Sequence, residues 1–141
     1  MADDPRVRDV TRGGLLVAQI FDFGQPGPVI FPTPGTAEMQ CGFGEVDIDR
    51  QVPAHLHNIL KRQTSNTSEF LYVIAGEVSI AFLDPEGAVI DQAVIGAQQG
   101  FLQYVGGHRM TIAAGTRYLE LKQGPYFGHV KDKTVLDNAR P

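Results

Sequence analysis

The sequence predicts an all-β domain, a sandwich or small barrel of short strands. Three observations carry this. The 16 Gly and 9 Pro are spread along most of the 141 residues, so they cut the chain into short segments and mark no single linker. Between the breaks lie apolar runs, many rich in β-branched and aromatic residues. Sustained helical periodicity is missing.

Taken in order, the first run is Leu15–Phe21, after Gly13-Gly14. Pro28–Phe31 and Met39–Val46 follow in the most heavily punctuated stretch. Phe70–Ala75 stops at Gly76. Val78–Leu83 and Ala88–Ile95 flank Asp84-Pro85-Glu86-Gly87, whose turn chemistry predicts a hairpin. Phe101–Val105 lies between Gly100 and Gly106-Gly107, and Met110–Ala113 and Tyr118–Leu121 complete about nine strands. The last ten residues, with Val135 and Leu136 among charges, suggest one short helix. Nothing indicates an internal repeat or a second domain, so 1–141 is expected to be one domain. Its core spans about 36–126, with an N-terminal strand segment at 14–31 and a tail at 130–141.

A chain that is 43% hydrophobic and 20% charged can bury a core, which excludes wholesale disorder. Twelve Lys plus Arg against 16 Asp plus Glu leave a net charge of −4, which argues against binding to nucleic-acid phosphates. No run approaches a membrane span, and Leu15–Phe21 is too short for a signal peptide, so no membrane partner is expected. Cys41 is the only cysteine, so no intrachain disulfide can form; it reads as a small buried residue. The expected location is the cytoplasm.

The chemical signal lies in three histidines and one glutamate. His55-Leu56-His57 precedes the polar stretch Asn58–Ser68, and Glu69 follows it, opening an apolar strand. Alternation along a strand would point His55 and His57 to one face, as a metal grip. A charge facing inward at Glu69 would be costly without a partner, and a cation would offset that. His108, after Gly106-Gly107, could converge on the same point. Three imidazoles and a carboxylate suit one divalent metal ion: Fe, Mn, Ni, Zn or Cu. Asn58–Ser68 reads as a solvated loop or as a flap over the site, and His129 reads as a surface residue.

His55-x-His57, Glu69 with six residues before Gly76, a hairpin, and His108 resemble the two-motif signature of the cupin superfamily of small β-barrels. The resemblance covers roughly 39–126. Eleven residues separate His57 from Glu69 where most cupins have three or four. Gln103, Val105 and Ile112 stand where the second motif usually has Pro, Gly and Asn. A narrower similarity, to small single-domain cupins of unsettled function, rests on the long insertion, Gly106-Gly107-His108, and Glu120-Leu121-Lys122-Gln123-Gly124-Pro125-Tyr126. The resemblance implies a cupin-type, jelly-roll-like, double-stranded β-helix barrel with a metal held by His55, His57, Glu69 and His108.

The leading functional expectation is an enzyme, a metal-dependent dioxygenase or isomerase, acting on a small oxygenated molecule, anionic or sugar-like. Lys61, Arg62 and Arg109 flank the proposed ligands and could hold an anionic group, and Tyr72, Gln103 and Tyr104 are candidate lining residues. Glu120 and Lys122 share a strand face and read as an exposed ion pair opposite Leu119 and Leu121. The alternative is a non-catalytic, metal-stabilised module that binds or senses a ligand; a metal-free barrel with neutral histidines is a third reading. A homodimer is expected, with Leu15–Phe21 a candidate strand to pair across it.

Overall fold

The computed structural model describes residues 4–136. They form two antiparallel sheets, as the all-β reading requires, and one short helix. The strands are β1 (Val7–Arg12), β2 (Leu15–Asp22), β3 (Glu69–Ala75), β4 (Glu77–Leu83), β5 (Val89–Gly96), β6 (Gln99–Gln103), β7 (Gly107–Ile112) and β8 (Arg117–Lys122). The large sheet runs β1-β2-β6-β3-β8 and the small one β5-β4-β7. The ladders share no strand, so no closed barrel forms among the described residues.

Strands face one another across a core that takes Val10, Val17, Leu71, Val73 and Phe101 from the large sheet and Val78, Ile80 and Phe82 from the small one. A bulge at Val10/Thr11 in the β1–β2 ladder leaves Val17 as the extra residue, which lets Val17 and Ala18 both join this core. The opposite face of the large sheet is covered by a second cluster, in which Phe21, Leu102 and Tyr104 pack with Phe23, Met39, Cys41 and Phe43. Two ion pairs, Arg8 with Asp91 and Arg12 with Asp84, clasp the edge strand β1 to the small sheet.

Several sequence expectations change. Pro28–Phe31 and Met39–Val46 contribute single bridges, Pro28 to Glu45 and Ile30 to Phe43, and Met39, Cys41 and Phe43 cover a sheet face without adding a rung to it. β1 was not expected, since Val7-Arg8-Asp9-Val10-Thr11-Arg12 carries only two apolar residues. The helix α1 occupies His129–Asp132 and so ends on the first of the last ten residues. Of those ten, Lys133 to Leu136 are not helical, and 137–141 lie outside the described residues. β2 lies between β1 and β6, and β6 already takes Ala18–Asp22 on its second side, so most of Leu15–Phe21 is paired within one chain. No helix is long and apolar enough to cross a membrane.

Candidate functional site

The path of the chain sets the site. β6 ends at Gln103 in the large sheet and β7 begins at Gly107 in the small one, so the backbone crosses between sheets in three residues. Gly106 makes the crossing at φ +83°, where an added Cβ would stand 2.7 Å from the Leu83 carbonyl oxygen. This places His108 at the start of β7, opposite Phe82.

Register does the rest. Ala18, Gln103, Glu69 and Lys122 pair in one row across β2, β6, β3 and β8, so their side chains share a face. The next row on that face holds Ile20, Phe101, Leu71 and Glu120. It is the face toward the small sheet, as the core positions of Phe101 and Leu71 show. Glu69, Gln103, His108, Lys122, Tyr126 and Leu136 line a cavity of about 590 Å³ at this end of the molecule.

Within the cavity the polar groups form one network. The Gln103 amide nitrogen donates to the carbonyls of Val105 at 3.0 Å and Gly107 at 2.9 Å. Its oxygen lies 2.7 Å from His108 Nδ1. An amide oxygen only accepts, so Nδ1 carries the proton and neutral His108 presents the Nε2 lone pair. That nitrogen stands 3.7 Å from Glu69 Oε1. The Glu69 side chain is 12% exposed and makes no hydrogen bond among the described residues, so its charge is met only by the field of neighbouring groups.

Lys122 lies beside it, 3.3 Å from Glu120 and 5.8 Å from the centre of the Tyr126 ring. The hydrogen bond to Glu120, reinforced by the field of Glu69, holds the ammonium above the ordinary lysine range. Glu120 and Lys122 therefore do pair, with Lys122 also lining the cavity. Gln123 places a buried side-chain oxygen without a donor at the same cavity. The chain segment from Asp132 to Leu136 closes one wall. That wall carries no sequence pattern that ties it to the site, whereas Lys122 could have been found by extending alternation from Glu120.

The other expected residues are distributed as follows. His55 and His57 lie on an exposed arm, residues 46–66, that forms no strand or helix. Their rings are nonetheless neighbours, with centroids 5.2 Å apart, and His55 Nδ1 donates to the Pro53 carbonyl at 2.8 Å, leaving its Nε2 free to bind. The strand expected beneath this pair is replaced by the arm, and Lys61 and Arg62 lie on it, exposed. Among the described residues, no three His, Cys, Asp or Glu side chains gather at one point.

Arg109 lines the cavity. Tyr72 turns to the opposite face of β3, where its ring meets Phe23 edge-on at 5.5 Å. Tyr104 is buried in the second cluster, donating to Gln19 at 2.6 Å, and burial pushes its phenol well above the ordinary range. Cys41 lies in the same cluster, and desolvation raises its thiol too, which disfavours the thiolate. His129 is exposed on α1.

No protein-family model, curated protein or solved structure matches the chain.

Proposed function

We propose that the cavity is a divalent-metal site of the cupin type, built on Glu69 and His108 and completed by His55 and His57 of the arm, residues 46–66, laid over it. The observation that carries this is the Gln103 amide, which is held by two carbonyls and so turns Nε2 of His108 toward a mostly buried carboxylate. His55 repeats the arrangement through Pro53. The donor set fits Fe, Mn, Ni, Zn or Cu. Bound there, such an ion supplies Lewis acidity or a redox centre to a small oxygenated molecule. Two antiparallel sheets enclosing the core and carrying Glu69 and His108 to one end support a double-stranded β-helix.

The chain's own groups would position that molecule. Lys122 offers a positive charge to an anionic oxygen. Glu69 acts as a ligand and not as a base. A binding module without turnover is the second reading. It is favoured by the state of two other cavity-lining ionisable groups, because Lys122 is held by Glu120, and Asp132 accepts the Phe127 amide at 2.8 Å.

Elemental analysis of the purified chain tests the site. About one divalent ion per chain is expected, with most of it lost in Glu69→Ala, His108→Ala and His55→Ala. Near-stoichiometric metal in these variants, or none in the wild type after loading, excludes it. Oxygen uptake with thiols, diols and catechols, and turnover of sugar nucleotides, then separate dioxygenase from isomerase. Silence in both favours the binding module.

A further inference from the structure

The free edge of β8 and the arm present two apolar surfaces that no described residue covers. Among the described residues β8 pairs with β3 alone, and all six of its residues are exposed. Its outer row holds Leu119 and Leu121 beside Tyr72 and Phe70. The other outer edge of the large sheet is guarded: β1 carries Arg8, Asp9 and Arg12 and is tied to the small sheet. On β8 two of the three charges, Glu120 and Lys122, face inward and pair with each other, so the outer row keeps Leu119 and Leu121 with Arg117 alone at its start. The arm exposes Val46, Ile48, Val52, Leu56, Ile59 and Leu60, with Leu56 at 92% and Ile59 at 103%.

We infer that the chain is a dimer in which the arm of each copy lies along β8 of the other. The arm's apolar residues expose on the order of 800 Å², the area that each partner gives to a standard interface. A second copy is the occupant that covers both surfaces at once, because a two-fold axis sets arm on edge twice over. One local charge pairing is open to this arrangement: Asp47 and Asp49 flank Ile48 at the start of the arm, and Arg117 leads the outer row of β8. Arg50, Lys61 and Arg62 keep the arm as a whole from being acidic. Lys122 ends β8 at the cavity, so an arm laid on β8 passes the cavity mouth. On the metal reading proposed above, His55 and His57 would then serve the second copy's site.

Sedimentation velocity on the full chain across micromolar concentrations is the test, with Ile59→Asp and Leu121→Asp beside the wild type. The expected mass is twice the 15.4 kDa of one chain for the wild type and 15.4 kDa for both variants, with unchanged circular dichroism. Ile59 packs against nothing, so its variant keeps the fold and decides the matter should Leu121→Asp unfold. A wild type of single-chain mass throughout, or a dimer persisting in a folded variant, overturns the inference. Metal content does not enter this readout, so dimers without metal would leave the exchange standing and remove only the metal site.

Discussion

Gln103 accepts the Nδ1 proton of His108 at 2.7 Å while its own nitrogen serves two backbone carbonyls, so one amide fixes which face of an imidazole meets the cavity. Imidazole ¹⁵N spectra of the metal-free wild type should show the neutral ring of His108 protonated at Nδ1. In Gln103→Leu the ring should populate both tautomers, with metal affinity reduced about 10- to 100-fold. Leaving the Val105 and Gly107 carbonyls without a donor should cost about 1–3 kcal/mol of stability. A wild-type ring protonated at Nε2 would contradict the arrangement.

Glu69 should trade stability for binding. Without metal, its half-buried carboxylate is a liability, so Glu69→Gln should melt at or above the wild-type temperature. With metal at a hundredfold excess over Kd, the wild type should gain about 2.7 kcal/mol and the variant little. Thermal melts with and without Mn(II) or Zn(II) check this, and equal gains in both proteins would count against Glu69 as a ligand.

Asp84 should give the fold an acid-sensitive clasp. Burial raises its carboxyl, but the amides of Ala88 and Glu86, at 2.8 and 3.0 Å, and the Arg12 guanidinium more than reverse this, so the group lies below its ordinary 3.8. A lowered carboxylate contributes stability fully above the ordinary value and loses it as pH falls through the lower folded one. Urea midpoints of wild type and Asp84→Asn should therefore differ most near neutral pH and converge below about pH 4. A difference independent of pH would assign the effect to packing.

Gly106→Ala should strain the crossing that delivers His108. Its positive φ and the approach of an added Cβ to the Leu83 carbonyl together should cost about 1–3 kcal/mol. Gly115→Ala has the left-handed backbone but open space around it, so it should cost less. Chemical denaturation of the two variants makes the comparison, and equal losses would show that the close approach relaxes freely.

Most strands were legible because the cues were local. Phe70–Ala75 and Val78–Leu83 are apolar runs ended by Gly76 and a turn, and β3 and β4 follow them closely. β1 was not legible, since an edge strand held by charge needs few apolar residues. Alternation also separates Leu71 from Tyr72 without saying which looks inward. That was settled by the pairing of β3 with β6, which puts Glu69 opposite Gln103 and sends Tyr72 to the far face.

By itself the sequence determined an all-β domain and marked Glu69 and His108, because turn residues, apolar runs and imidazoles announce themselves within a few positions. Only the tertiary structure decided that Gln103 and Lys122 join those two around one cavity, while Tyr104 is buried elsewhere and the arm bearing His55 and His57 stands apart. The reason is that strand register and the crossing between sheets depend on contacts between residues distant along the chain, and no local pattern encodes them.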